Sequence, residues 1–116
     1  MKRFIESFQY ALSGLRYVWR EERNFRIQVI IAILVIFGLF LLDITPEMIG
    51  LVIIAIALVL TAETINTAFE DTLNKIEPQK DPTIGRIKDI AAGVVVLCVI
   101  GAVAIGILVF ISYFSL

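Results

Sequence analysis

The sequence contains no histidine and a single cysteine, Cys98, among its 116 residues. A disulfide framework needs at least two cysteines, and a zinc site needs several cysteine or histidine ligands, so one chain supplies neither. The net charge is −1, so the chain also lacks the strongly basic surface that nucleic-acid binding requires. We therefore expect no nucleic-acid partner.

Charged residues are scarce too, at 18%, whereas 59% of the residues are apolar and the mean hydropathy is +0.95. Soluble domains have about 45–50% apolar residues, and a chain this small cannot bury such an excess in one core. Three uncharged apolar stretches carry the excess: 27–42, 48–62 and 90–116. Since a spanning helix needs about 20 residues, and the second stretch can continue past Glu63, we predict transmembrane helices at about 27–42, 48–69 and 90–112.

Residues 1–26 predict an amphipathic surface helix. Apolar side chains recur there at helical spacing, namely Phe4, Phe8, Leu12, Leu15 and Trp19, as in helices that lie at a membrane–water interface. All Lys and Arg residues fall within 1–26 or 63–89. The positive-inside rule then predicts that the N-terminus and residues 64–89 are cytoplasmic and that the C-terminus is outside.

Three polar residues lie near the end of the second predicted span. Glu63, Asn66 and Glu70 fall within about 60° of one another on a helix, and the two carboxylates are roughly 10 Å apart along its axis. An intramembrane carboxylate is costly and is usually functional. Glu63 is suited to accepting a proton from a lipid hydroxyl and Glu70 to binding Mg²⁺. The alternative is that Glu63 only pairs with an Arg or bonds to a neighbouring helix.

Two charged clusters are expected on the same side of the membrane. The first, at residues 20–23, precedes the first span, and the second contains Arg86, Lys88 and Asp89. Cations beside a metal-binding carboxylate would hold nucleotide phosphates. The alternatives are solvated charges, topogenic charges, and capping of the third helix by Asp89. Phosphate-binding loops and kinase signatures are absent from the sequence, so helices and bound metal would have to do any phosphate chemistry.

At these positions the sequence resembles the prokaryotic integral-membrane diacylglycerol kinase and undecaprenol kinase family. Its signature reads roughly E-x-x-N-[ST]-A-x-E…K-D-x-[AGS]-[AS]-[AG]. This chain matches it at Glu63-Thr-Ile-Asn66-Thr-Ala-Phe-Glu70 and Lys88-Asp89-Ile-Ala-Ala-Gly93. The upstream Glu22-Arg-Asn-Phe25-Arg26 resembles the family's E-x-x-F-R element.

The resemblance implies a homotrimer of three-span subunits whose active sites form between neighbouring subunits. It implies that Glu63 is the catalytic base and that Glu22 and Glu70 are the metal ligands, carrying Mg²⁺ with ATP. The implied lipid-binding residues are Arg16, Glu63 and Asn66. The implied ATP-binding residues are Arg3, Tyr10, Glu22, Glu70, Gln79, Asp81, Lys88 and Asp89. The chain departs from the family at Asn74, where an Asp is usual, and at Gln79-Lys80-Asp81, where a Glu-x-His contact is common.

The expected function is ATP- and Mg-dependent phosphorylation of a membrane lipid in the prokaryotic cytoplasmic membrane. Diacylglycerol, giving phosphatidic acid, is the expected acceptor, and undecaprenol, giving undecaprenyl phosphate, is the alternative. A non-catalytic oligomeric scaffold or pore is a second class of function, since Gly93, Gly101 and Gly106 permit close helix packing. An ion carrier that uses Glu63 is a third.

Overall fold

The computed structural model describes residues 1–115, which form four α-helices joined by short connections. They are α1 (Lys2–Glu21), α2 (Arg23–Leu41), α3 (Pro46–Ile76) and α4 (Pro82–Phe114). Among the described residues, α2, α3 and α4 are long and apolar enough to cross a membrane. The predicted fold class, an all-α membrane protein with an amphipathic N-terminal helix and three transmembrane helices, is confirmed. Leu116, the end of the third apolar stretch, lies outside the described residues.

The first helix is shorter than the predicted 1–26, because the helical conformation is interrupted at Glu22. The backbone there is extended, with φ −112° and ψ 106°, and α2 begins at the next residue. Arg26 belongs to the first turns of α2. Its Nη1 donates hydrogen bonds to the carbonyl oxygens of Trp19 at 2.7 Å and Arg20 at 2.8 Å. Arg26 thus satisfies carbonyls that the end of α1 leaves unpaired, as a cation at a helix C-terminus does.

The turn between α2 and α3 has specific local chemistry. Asp43 adopts the left-handed conformation, with φ 62°, and the N–H of Ile44 reaches back to the carbonyl of Leu39 at 3.5 Å, as in a Schellman C-cap. The side chain of Thr45 then accepts a hydrogen bond from the N–H of Met48 and caps α3. Pro46 opens α3 at a position where its missing N–H costs nothing, so it separates the two helices as predicted.

The last two helices extend further into the polar segment than predicted. Two prolines and Gly85 predict a break in the helix over residues 77–85, but the irregular connection is only 77–81. Asp81 explains the early start of α4, since its Oδ2 accepts a hydrogen bond of 3.0 Å from the N–H of Ile84. Pro82 occupies the first turn, where proline is well tolerated. Asp89 consequently lies two turns inside α4, so the alternative that it caps this helix is wrong.

The third helix is the centre of the subunit. It contacts α1, α2 and α4, whereas α2 and α4 do not contact each other over the described residues. The molecule measures 55 × 43 × 20 Å, so it is a flat layer about two helix diameters thick. The apolar sides of α2 and α4 face outward, and Val109 is the buried residue of α4. One subunit therefore leaves extensive apolar surface for lipid or for other chains.

Candidate active site

The most buried charged side chain is Glu63, in the middle of α3 with 5% of its surface exposed. Its Oε2 accepts a hydrogen bond from Nε2 of Gln28 on α2, at 3.4 Å. The predicted alternative of a bond to a neighbouring helix is therefore present, although the partner is an amide and not an arginine. A neutral donor orients the carboxylate without neutralising it, so the bond is also compatible with a role for Glu63 as a base.

Glu22 lies at the break between α1 and α2, beside the carboxylates of α3. The pKa of Glu22 is raised, first by burial and then by the charges of Glu70 and Glu63, with a smaller effect of Asp71. These four residues, which we call the carboxylate cluster, are thus brought together from two parts of the chain. Glu22 therefore lies near enough to Glu63 and Glu70, which the sequence places 41 and 48 positions further on, to be affected by their charges.

The chemistry of the cluster fits a divalent cation such as Mg²⁺. Burial, followed by repulsion from the neighbouring carboxylates, raises the pKa of Glu22, and a bound cation would relieve the repulsion. Within residues 1–115 no group of three or more Asp, Glu, His or Cys side chains is arranged to hold a metal alone. Mg²⁺ takes one or two carboxylates and completes its coordination with substrate phosphates and water. Within the cluster, Glu22 and Glu70 are half-buried and Asp71 is exposed.

Asn66 points towards α4, although it shares the stripe with Glu63. It lines a small pocket of about 190 Å³ between α3 and α4, together with apolar residues such as Phe69 and Ile90. Its Oδ1 is buried without a hydrogen-bond partner among the described residues. Oε1 of Gln28 is likewise buried without a hydrogen-bond partner among the described residues. Gln28 lies at the end of a larger apolar groove of about 560 Å³ between α2 and α4. Both oxygens can accept a hydrogen bond from outside the subunit.

Lys88 is held close to α3. Its Nζ donates a hydrogen bond of 2.5 Å to Oδ1 of Asn74, one helical turn beyond Glu70. Asp89, which follows Lys88, is exposed. The structure therefore brings one of the two predicted nucleotide-binding residues of α4 to the helix that carries the carboxylates.

The remaining predicted site residues are exposed. Arg3 and Tyr10 lie about 28 Å and 18 Å from Glu22 along α1, at 1.5 Å per residue. Arg16, also on α1, is exposed. In the connection, the carboxylate of Asp81 caps α4, and the N–H of Gln79 donates to Glu77 Oε1 at 3.2 Å. These five residues keep the roles implied by the resemblance only as predictions.

Three polar residues at the site were missed by the sequence reasoning. Gln28 is an isolated amide in the first apolar stretch, and this isolation could have marked it as a candidate site residue. Asp71 directly follows Glu70 but points to Tyr17 on α1, whose hydroxyl donates to Asp71 Oδ2 at 3.4 Å. No local pattern marked Tyr17, because its partner is 54 positions away.

Fold and site together define a small multi-pass helical membrane protein with a carboxylate cluster at one end of its helices. A family model described as "Prokaryotic diacylglycerol kinase" matches residues 9–110, which include α2, α3, most of α1 and α4, and the whole cluster. The chain belongs to this family, and it is a diacylglycerol kinase-type lipid kinase of a bacterial membrane. The resemblance seen in the sequence motifs is thereby confirmed, and the family decides against the scaffold or pore alternative.

Several curated relatives are similar over most of the chain. The diacylglycerol kinase of Haemophilus influenzae is 34% identical over 108 residues, or 91% of this chain and 92% of that protein. The undecaprenol kinase of Bacillus subtilis is 31% identical over 110 residues, or 95% and 89% of the two chains. The diacylglycerol kinase of Synechocystis is 35% identical over 101 residues, but the match spans 58% of its length.

Proposed function

We propose that the protein transfers the γ-phosphoryl group of ATP to the hydroxyl of a membrane lipid, with Mg²⁺, at the cytoplasmic leaflet. The observation that carries this proposal is the carboxylate cluster, in which a buried Glu63 is bonded to Gln28 while Glu22 and Glu70 stand closer to water. A lipid hydroxyl and a nucleotide phosphate approach from different media, so the site needs one group in each. The cluster provides both along one helix face.

Glu63 is the proposed catalytic base. Gln28 engages its Oε2, which leaves Oε1 to accept the proton of the lipid hydroxyl as the lipid oxygen bonds to the γ-phosphorus. The bond between the γ-phosphorus and the bridging oxygen breaks, and ADP leaves with that oxygen. General base catalysis of this kind contributes about 10²- to 10⁴-fold to a rate. Asn66 Oδ1, buried and without a partner, is the proposed acceptor for a further hydrogen bond from the lipid.

Glu22 and Glu70 are the proposed metal ligands. When bound, Mg²⁺ neutralises phosphate charge and polarises the γ-phosphoryl group. Lys88, held one turn beyond Glu70, contributes a positive charge and N–H donors to the phosphates. Asp89, and less directly Arg3, Tyr10, Gln79 and Asp81, are proposed to contact the rest of the nucleotide, and Arg16 is proposed to contact the lipid.

A homotrimer with shared sites is part of this proposal. Arg3 and Tyr10 lie well before the carboxylate cluster along α1 of their own subunit, and we propose that they contact a nucleotide shared with a neighbouring subunit. The outward faces of α2 and α4 also leave room for other subunits. At Gly93, Gly101 and Gly106 a Cβ would meet no heavy atom within 4 Å in the described chain. Any close packing at these glycines therefore involves another molecule.

Diacylglycerol is the proposed acceptor, and undecaprenol is the second candidate. Relatives named for each lipid are similarly related to this chain, at 34% and 31% identity. The groove between α2 and α4 is almost entirely apolar, so it accommodates acyl or prenyl chains without discriminating between them. The orientation follows from charge: the lysines and arginines of α1 and of the end of α3 favour the cytoplasmic side.

The test is transfer of labelled phosphate from Mg-ATP by the purified protein in mixed micelles containing diacylglycerol, undecaprenol or ceramide. We expect one of the first two lipids to be labelled, and Glu63→Gln to lower the rate by at least about 10²-fold. Glu47→Gln is the matched control, because Glu47 lies in the first turn of α3 at its opposite end. It should keep the wild-type rate.

The outcomes separate the parts of the proposal. Labelling of undecaprenol alone would replace the acceptor but keep the mechanism. A near-normal rate for a folded Glu63→Gln protein would rule out Glu63 as the base. A folded oligomer that labels no lipid, with or without Mg²⁺, would overturn the kinase function itself.

A further inference from the structure

The hydrogen bond between Asn74 and Lys88 connects the last turns of α3 with the first turns of α4. Lys88 is half-buried and Asn74 is exposed, and Lys88 Nζ donates to Asn74 Oδ1 at 2.5 Å. The connection 77–81 lies between the two residues in sequence. A flexible four-carbon side chain is thereby fixed at one place on α3.

That place is beside the proposed metal site. Asn74 follows Glu70 by four residues, so it stands about 6 Å further along the same face of α3. An ammonium group has three N–H donors, of which Asn74 uses one, and two remain for other acceptors. Because the amide of Asn74 is neutral, the positive charge of Lys88 is not compensated by its partner.

We propose that Asn74 is a positioning residue for the nucleotide, which holds the amine of Lys88 beside Glu70 so that its free N–H donors reach phosphate oxygens. This inference rests on the proposed kinase function and extends it to a residue that touches neither substrate. Asn74 acts through Lys88 alone. This role also explains how the chain tolerates an amide at position 74, since the side-chain oxygen of either Asn or Asp can accept the hydrogen bond from Lys88.

Removal of the acceptor should weaken nucleotide binding more than it slows the chemical step. Without Asn74 Oδ1 the amine samples several rotamers, and ATP binding must order it. Proton transfer to Glu63 is unchanged, because Glu63 lies three turns of α3 away. The expected signature is a higher KM for Mg-ATP with little change in kcat.

The experiment compares Asn74→Ala, Asn74→Asp, Lys88→Met and the double variant Asn74→Ala/Lys88→Met. It measures kcat and KM for Mg-ATP at saturating lipid, and also the direct binding of a non-hydrolysable ATP analogue. Asn74→Ala should raise KM and the analogue's Kd by about tenfold, the scale of one lost charge-assisted hydrogen bond. Asn74→Asp should stay within about twofold of the wild type, and Asn74→Ala should add nothing to Lys88→Met. Lys75→Met is the matched control, because Lys75 directly follows Asn74 on α3 but takes no part in this hydrogen bond. It should leave KM and Kd unchanged.

Unchanged nucleotide binding in Asn74→Ala, or an effect that adds fully to that of Lys88→Met, would overturn the positioning role. If the wild type binds the analogue but phosphorylates no lipid, and Asn74→Ala still weakens binding, the positioning role stands while the kinase proposal fails. If the wild type binds no analogue, both fail. Gel filtration and the fluorescence of Trp19 establish that each variant is folded.

Discussion

The hydroxyl of Tyr17 on α1 donates a hydrogen bond to Asp71 Oδ2 on α3, at 3.4 Å and across 54 positions of sequence. Asp71 directly follows Glu70, and Tyr17 lies five residues before Glu22. The bond therefore joins α1 to α3 beside the two proposed metal ligands. It also raises the pKa of Tyr17, chiefly through the charge of Asp71.

Tyr17→Phe should loosen α1 without unfolding the protein. A single exposed hydrogen bond contributes little to stability, so we expect at most about a tenfold loss of lipid kinase activity. Trp19, the single tryptophan, lies two residues away on α1, and its emission maximum should shift. Tyr113→Phe, at the far end of α4, is the control. An unchanged Trp19 spectrum and full activity in Tyr17→Phe would show that the bond does not hold α1.

The hydrogen bond between Tyr17 and Asp71 predicts that the stability of the protein falls at alkaline pH. A raised pKa means that folded Tyr17 keeps its proton to a higher pH than a free tyrosine, which titrates near pH 10. The stability it contributes is complete below that pH and is lost as the pH rises through the folded pKa. Thermal unfolding curves in detergent should thus show the wild type losing more stability than Tyr17→Phe at high pH. Parallel losses in the two proteins would contradict the assignment.

Glu22→Gln should make the metal-free protein more stable at neutral pH. Burial and neighbouring carboxylates raise the pKa of Glu22 above the ordinary glutamate value of 4.5, so its charged form destabilises the fold. The corresponding stability is complete below pH 4.5 and is lost as the pH rises through the folded pKa. In EDTA at pH 7 the variant should therefore have the higher Tm, with a smaller difference near pH 4.

Magnesium provides the second half of that test. Mg²⁺ should raise the Tm of the wild type more than that of Glu22→Gln, because a ligand that binds the folded state stabilises it. Glu6→Gln, near the other end of α1, should respond to Mg²⁺ like the wild type. Equal responses of Glu22→Gln and the wild type would mean that Glu22 does not bind the ion. Kinase activity of Glu22→Gln should fall, although the protein is more stable.

The three transmembrane helices could be predicted from the sequence because so large an apolar excess is compatible with few other folds. The exact helix ends could not, because each depends on the hydrogen bonds of single side chains. Arg26 at the start of the first apolar stretch is expected to snorkel to the membrane surface, and the structure shows that it also caps the end of α1. Pro82 and Gly85 were interpreted as interruptions, whereas Pro82 opens α4 and Asp81 caps it. A proline gives the same local signal for stopping a helix and for starting one, and only the cap before it distinguishes the two.

For the site, helical spacing places Glu63, Asn66 and Glu70 on one stripe of a helix, and the resemblance adds Glu22. Spacing could not show the contacts between helices. Glu63 faces Gln28 of α2, while Asn66, one turn away, faces α4. Which neighbour each side chain meets depends on the positions of α2 and α4 around α3, and those positions are set by packing over the whole length of the helices.

A stability prediction concerns the turn far from the site. Asp43 has φ 62°, a conformation that glycine adopts freely and that β-branched residues adopt with difficulty. Asp43→Gly should be as stable as the wild type, and Asp43→Val should be less stable than Asp43→Gly by about 1–2 kcal/mol. Unfolding monitored by circular dichroism in detergent measures both. Thr45 and Glu63 are about 27 Å apart along α3, so folded variants should keep their kinase activity.

Gln28→Leu is the sharpest test of the contact that orients Glu63. The change removes the donor to Glu63 Oε2 and leaves the carboxylate, 5% exposed, without that partner. An unsatisfied buried polar group costs about 1–3 kcal/mol, so both stability and kcat should fall, the latter by about tenfold or more. The double variant Gln28→Leu/Glu63→Gln separates the two effects: if Gln28 acts by orienting Glu63, adding Gln28→Leu to Glu63→Gln should not lower the remaining rate further. A full additional loss in the double variant would mean that Gln28 serves the reaction independently, through the acceptor Oε1 that it leaves unpartnered at the end of the apolar groove.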